Sequence, residues 1–213
     1  MPYLVKEIYH TLQGEGARAG RAAVFCRFAG CNLWTGREAD RATAVCRFCD
    51  TDFADTAGPG GGRFDTPAAL ADSIAGHWPA SRSGAYVVFT GGEPLLQLDA
   101  PLLSEVGARG FERAVETNGT RPAPEGLDWV TVSPKAGAPV VLLTGHELKL
   151  VFPQPGLMPE DVEADPRLRF DHHYLQPMDG PRRAENTAAA AAHCMANPLW
   201  RLGLQTHKLA GLP

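Results

Sequence analysis

The sequence predicts an α/β fold, built as a partial parallel β/α barrel of about six strands. Short apolar runs alternate with helical stretches along the chain. Several of those runs end in glycine or in a polar side chain, at the strand ends where sheets and barrels of this class hold ligands. A length of 213 residues supports one well-buried core but leaves no comfortable room for eight strand–helix units.

Taken in order, residues 3–16 open as a mixed strand and end in Gln13-Gly14-Glu15-Gly16. Glycines on both sides of Glu15 permit a tight turn and a close approach to a ligand, although a plain surface turn has the same composition. Residues 22–30, AAVFCRFAG, are apolar on both faces, as in a covered strand. Arg27 within that run needs an anionic partner, and a ligand carboxylate or Glu15 would serve. Residues 32–45 lose periodicity and read as a loop or a short irregular helix, and the Gly/Pro-rich 54–63 as a flexible connector. Thr66 as N-cap and Pro67 at the first helical position start a helix that runs to about residue 77.

The second strand, 85–90, runs into Gly91-Gly92-Glu93-Pro94, and a helix near 98–110 follows. A third strand at 114–117 ends in Asn118-Gly119-Thr120, and a fourth at 129–132 in Ser133-Pro134-Lys135. The fifth is HELKLVF, 146–152, and the sixth HHYLQP, 172–177, which contains Gln176 and precedes Met178-Asp179-Gly180. Alanine-rich 185–197 is a helix by propensity. The alternation of Leu202, Leu204 and Thr206 predicts a last edge strand.

Composition excludes several classes. Net charge is -4 and pI about 6.0, which argues against a nucleic-acid partner. No apolar run approaches the ~20 residues that cross a bilayer, and the N-terminal MPYLVKEIYH resembles neither a signal nor a transit peptide. A cytoplasmic protein without a membrane partner is expected. Its 5 cysteines are clustered, four of them between residues 26 and 49, which suits metal binding better than a disulfide framework.

Cys31, Cys46 and Cys49 form a C-x14-C-x2-C array. A zinc site using Cys26 as fourth ligand and an iron–sulfur cluster held by three thiolates are both open on spacing alone. Cys26 lies mid-strand among Val24, Phe25 and Phe28, where a thiol acts as a small hydrophobe. Cys194, in the alanine-rich helix, reads as core or neutral surface.

Cys46-Arg47-Phe48-Cys49 followed downstream by Gly91-Gly92-Glu93-Pro94 resembles the radical S-adenosylmethionine superfamily. Gln13–Gly16, Arg27–Asn32, Cys49–Thr51, Glu116–Gly119, Ser133–Lys135, Gln176–Asp179 and Gln205–Lys208 narrow the resemblance to the 7-carboxy-7-deazaguanine synthase family. It covers nearly the whole chain except 54–84 and 153–170. The fourteen-residue first gap departs from the superfamily's usual three, and some members of this family are similar in carrying a longer loop.

The resemblance implies a single radical SAM domain over 1–213, a cluster loop at about 31–49 and a substrate-closing tail at about 199–213. It implies a 4Fe-4S cluster on Cys31, Cys46 and Cys49, and S-adenosyl-L-methionine held by Phe48, Asp50, Gly92, Glu93, Ser133, Lys135 and Gln176. A plainer reading of Ser133 and Lys135 is a helix cap and a solvated charge. Mg2+ would sit on Thr51 together with the substrate carboxylate. The implied substrate is 6-carboxy-5,6,7,8-tetrahydropterin, converted to 7-carboxy-7-deazaguanine with loss of ammonia in queuosine and 7-deazapurine biosynthesis. Its implied contacts are Leu12, Gln13, Gly14 and Glu15 from the N-terminal turn, and Arg27, Thr90, Glu116 and Asn118 from the strands. His207 and Pro213 would close the site, although His207 reads equally as a surface histidine. No catalytic side chain beyond cluster and cofactor is implied. A homodimer and an electron donor such as flavodoxin or ferredoxin come with the family. The rival readings are a glycyl-radical activating enzyme and a non-catalytic, zinc-stabilised binding module.

Overall fold

In the computed structural model, which describes residues 1–79 and 83–213, β1 (Tyr3–Leu12) runs antiparallel to β2 (Ala22–Phe28). The register shifts between Val5 and Glu7. Such a bulge changes which side chains face the core. Tyr3 and Val5 before it and Ile8 beyond it all pack on the same apolar core, while Glu7 and Tyr9 turn to the other face.

β3 (Gly62–Phe64) adds antiparallel to the start of β1. Every later strand joins in parallel: β4 (Tyr86–Gly91), β5 (Glu112–Thr117), β6 (Trp129–Val132), β7 (Thr144–Phe152), β8 (Arg169–Pro177) and β9 (Trp200–Leu202). Among the described residues the sheet has 9 strands in the order β3-β1-β2-β4-β5-β6-β7-β8-β9. Its parallel run is the partial barrel the sequence predicts, with an antiparallel pair added at one edge.

Two helical layers cover the outer face. α1 (Pro67–Gly76) and α2 (Ala100–Ala108) bury Leu70, Ile74, Leu102, Leu103 and Val106 against β1, β2, β4 and β5. Each such side chain contributes about 1.5–3 kcal/mol on removal from water. Thr66 caps α1 by accepting from Ala69 N at 3.2 Å. Asp99 caps α2 by accepting from Leu102 N and also takes the Tyr3 hydroxyl at 2.7 Å, tying β1 to the helix. α3 (Pro159–Glu163) and α4 (Arg183–Ala196) cover β7, β8 and β9 through Val162 and Ala190. The remaining helix, α5 (Thr206–Leu209), belongs to the tail.

The inner face is closed low down. Tyr86, Val88, Ala23 and Ala114 pack with Phe25 and Trp129. Arg18 lies 4.3 Å from the Trp129 ring and Arg21 4.0 Å from that of Tyr86, and both pair with Glu112. The open space therefore lies towards the carboxyl ends of the parallel strands. No helix among the described residues is long and apolar enough to cross a membrane.

Three expectations are corrected. Residues 54–63 do not hang free: Ile8 N donates to Pro59 O and Gly58 N to Lys6 O, so the segment runs along β1 into β3. The final alternation gives only the short β9. Gly203 N still donates to Leu175 O, after which residues from Thr206 turn helical. Arg27 does not pair with Glu15, because the bulge places Glu7 (2.7 Å) and the Tyr9 hydroxyl (2.8 Å) against its guanidinium.

Candidate functional site

The strand ends enclose a cleft of about 420 Å³. Cys31 enters it directly after β2. Gly91 and Gly92, at the end of β4, lie so close to that turn that a Cβ on Gly92 would overlap the Gly30 carbonyl oxygen and come within 2.9 Å of Cys31 Cβ. Glu93 N donates to Gly30 O at 2.9 Å, stitching the two strand ends together. Glycine is needed there because backbone meets backbone.

Cys46 and Cys49 return to the same cleft after a 3-10 segment, Glu38–Thr43. All five cysteines are free thiols. Cys46 and Cys49 face each other in the cleft and shift each other's thiols in opposite directions, Cys49 down and Cys46 up. Burial pushes the thiols of Cys31 and Cys26 up. Among the described residues no three Cys, His, Asp or Glu side chains gather around the place of a single metal ion. Ligands to separate corners of an iron–sulfur cluster need not meet at one point. Cys26 is fully buried in the core and does not line the cleft, so a fourth zinc thiolate is not supplied from there.

Phe48, Asp50, Thr51, Ser133, Lys135 and Gln176 all line the cleft. Lys135 Nζ donates to Ser133 O (2.6 Å) and Oγ (2.8 Å), and burial lowers its pKa. Gln176 is 5% exposed and lines the cleft, while its Oε1 is buried beside Gly203 without a hydrogen-bond partner. Glu93 behaves differently. Its carboxylate is 0% exposed and accepts from Thr117 Oγ1, Leu95 N and Asn118 N at 2.7–2.9 Å. Burial raises its pKa. The side chain locks β4 to β5 and leaves the Gly91-Gly92 backbone to face the cleft.

Leu12, Gln13, Glu15, Arg27, Thr90, Glu116, Asn118, His207 and Pro213 also line the cleft. Gly14 lies behind it, where a Cβ would overlap the His207 ring. Asn118 is partly committed: its Oδ1 accepts from Thr120 N and Oγ1, and its Nδ2 donates to Asn32 Oδ1 at 3.0 Å. The tail closes over these groups. Thr206 N donates to Gly14 O (2.9 Å), Gln205 Nε2 to Glu15 Oε1 (2.9 Å) and the Thr11 hydroxyl to Pro213 O (3.3 Å).

Several lining residues were not foreseen. Lys6, paired with Asp52 and Asp55, reaches the cleft by ordinary strand alternation, and Glu7 and Tyr9 reach it because of the β1 bulge. Lys149 sits 6% exposed between Glu15 and Glu116. The signal for Lys149 was present in HELKLVF, where charged residues alternate with leucines inside a covered strand.

No protein-family model matches the chain. It is 63% identical over 213 residues to a 7-carboxy-7-deazaguanine synthase of Bordetella pertussis, covering 100% of both chains. It is 61% identical over 212 residues to a protein of that name from Bradyrhizobium diazoefficiens, again covering 100% of both. Among solved structures it is similar to QueE from Escherichia coli, with a TM-score of 0.68 and 28% identity over 96% of this chain and 94% of that one.

Proposed function

The chain belongs to the 7-carboxy-7-deazaguanine synthase family, and from that premise we propose how its cleft performs the reaction. The activity is that of a radical S-adenosylmethionine lyase, which turns 6-carboxy-5,6,7,8-tetrahydropterin into 7-carboxy-7-deazaguanine and releases ammonia. It uses a 4Fe-4S cluster, S-adenosyl-L-methionine and Mg2+, and it needs a reductant. Held by Cys31, Cys46 and Cys49, the cluster together with the cofactor would supply the radical chemistry that the ring contraction needs.

The observation that carries the reading is the convergence of Cys31, Cys46, Cys49, Gly92 and Gln176 with Gln13, Glu15 and Glu116 on one cleft. The three free thiols suit the cluster. The Gln176 side chain and the Gly91-Gly92 backbone, which line the cleft, suit the polar ends of the cofactor, with Phe48, Ser133 and Lys135 beside them. Thr51 is one neutral hydroxyl, flanked by Asp50 bound to Lys208 and Asp52 bound to Lys6. Magnesium keeps water and favours anionic oxygen, so Thr51 would hold it only together with the substrate carboxylate. Arg27, turned into the cleft, suits that carboxylate, since a guanidinium matches it in two hydrogen bonds.

The relatives bear the synthase name along their whole length, and nothing supports a glycyl-radical activating enzyme or a zinc-stabilised module. A homodimer, a flavodoxin- or ferredoxin-type donor and a cytoplasmic setting complete the proposal. The free thiols support the last of these.

The test is mass spectrometry of an anaerobic reaction containing reconstituted protein, dithionite, S-adenosylmethionine, magnesium and the pterin. A product lighter by one ammonia is expected. Formation of 5′-deoxyadenosine without it would overturn the substrate, and the absence of both from cluster-loaded protein would overturn the activity.

A further inference from the structure

Three carboxylates and one ammonium occupy the inner face beneath the proposed pterin site. Glu147 and Lys149 are two residues apart on β7 and therefore share a face, opposite Leu148 and Leu150 in the outer core. The Glu147 carboxylate accepts from Ala17 N at 2.7 Å, and Gly16 passes so close to it that a Cβ would overlap its oxygens. Gly16 also has φ of +66°, so that turn is shaped for glycine twice over. Lys149 Nζ pairs with Glu15 Oε2 and, at 3.2 Å, with Glu116 Oε2. Gln13 closes the ring: its Nε2 donates to Glu116 Oε1 at 2.8 Å and its Oε1 accepts from Glu15 N at 3.1 Å.

We infer that Lys149 is the positioning residue of the pterin pocket, holding Glu15 and Glu116 as a fixed pair of ionised acceptors for the 2-amino and ring N–H donors of the substrate. The inference rests on the synthase reading above. Each carboxylate oxygen has a second lone pair beyond its single hydrogen bond, and both carboxylates line the cleft. A ligand with several N–H donors on one edge matches such a pair, whereas a carbonyl in place of the amino group would set oxygen against oxygen.

Charge balance explains why a lysine is needed. Two carboxylates taken out of water repel each other, and without a cation one would be protonated and turned into a donor. Burial opposes the Lys149 charge, but Glu116, Glu15 and Glu147 outweigh it and hold the ammonium above its ordinary range. Burial likewise opposes ionisation of Glu15, and Lys149, Gln205 and His207 outweigh it, so its pKa is lowered. Glu147, for which burial dominates, has its pKa raised and serves as the anchor of the turn.

The test compares two ligands by anaerobic calorimetry on cluster-loaded protein with S-adenosylmethionine and magnesium but no reductant. The ligands are 6-carboxytetrahydropterin and its counterpart with a 2-oxo group in place of the 2-amino group. Wild type is expected to prefer the 2-amino ligand by about a hundredfold or more, as sites built on hydrogen bonds do. In Lys149→Met that preference should fall at least about tenfold, with iron content and S-adenosylmethionine affinity kept. A merely structural lysine would weaken both ligands alike, and that result overturns the inference. Should the methionine variant not fold, Lys149→Arg decides. It keeps the cation but spreads it over a wider fork, so a reduced preference is expected and an unchanged one overturns the inference. Wild-type protein that binds no pterin would instead bring down the synthase reading, and this inference with it.

Discussion

Lys208 Nζ lies 2.8 Å from Asp50 Oδ2, a bond from the tail to the residue after Cys49. The same ammonium reaches Asp179 beyond β8 at 2.6 Å. One side chain thus ties together the two segments flanking the proposed cofactor position. The two carboxylates face a common point, and the lysine charge between them makes that arrangement favourable, with Arg183 beside Asp179 and Gln205 beside Asp50.

Replacing Lys208 with alanine should therefore loosen the tail rather than the fold. The Lys208 side chain is 31% exposed, and ion pairs at that exposure are worth about 0.2–1 kcal/mol. The melting temperature should stay close to wild type. Hydrogen exchange at residues 205–212 should rise, and S-adenosylmethionine should bind several-fold more weakly. Unchanged exchange in the tail would show that Lys208 is not its tether.

The tail should also respond to pH through His207. Burial holds the His207 pKa below its ordinary value, with Glu15 opposing that effect and Lys208 adding to it. The docked state therefore favours neutral imidazole. Its contribution is complete above the ordinary histidine value of about 6.5 and is lost as pH falls through the depressed one. Exchange at 205–212, corrected for the intrinsic rate, should increase between about pH 7.5 and about pH 5. His207→Gln should flatten that dependence.

Two glycines that both lack room for a side chain should differ in what a methyl group does. At Gly92 the obstacle is the Gly30 backbone, which is fixed by the Glu93 N–Gly30 O bond. Gly92→Ala should cost roughly 1–3 kcal/mol and reduce the iron retained per chain. At Gly14 the obstacle is the His207 side chain, its Cβ included, so the tail rather than the core would have to move away. Gly14→Ala should keep stability and iron but weaken pterin binding by about tenfold, the scale of one lost polar contact. Denaturant midpoints and iron content separate the two.

The strands were legible where both faces are covered. AAVFCRF and AYVVFT announce themselves because helices lie outside and the small inner core lies inside. The three-residue β3 carried no such pattern, since it is held by backbone pairing to β1 rather than by its side chains. The β1 bulge was equally hidden, and with it the turn of Glu7 and Tyr9 towards Arg27. For the site, motif order located the three cysteines and the Gly-Gly-Glu segment. It did not reveal which way Glu93 points, because its three donors come from Thr117, Asn118 and Leu95, and two of these belong to the next strand end. Lys149 was missed for a related reason. A charge in a buried strand acquires meaning only when its neighbours across the lumen are known.

The cysteines divide by surroundings rather than by spacing, and substitution should expose the division. Cys46 lines the cleft beside Cys49, so Cys46→Ser should remove most of the iron, because a hydroxyl is a poor substitute for a thiolate. Cys26 is 0% exposed among Val24, Phe28 and Phe89 in the outer core. Cys26→Ser places a hydroxyl in that apolar core, at a cost of about 1–3 kcal/mol, while iron and sulfide per chain should remain at the wild-type level. If Cys26→Ser also lost its metal without unfolding, a fourth thiolate would be implicated and the three-cysteine cluster would have to be abandoned. Iron, zinc and sulfide analysis of the two variants side by side gives the answer, because only the cluster contains both iron and sulfide.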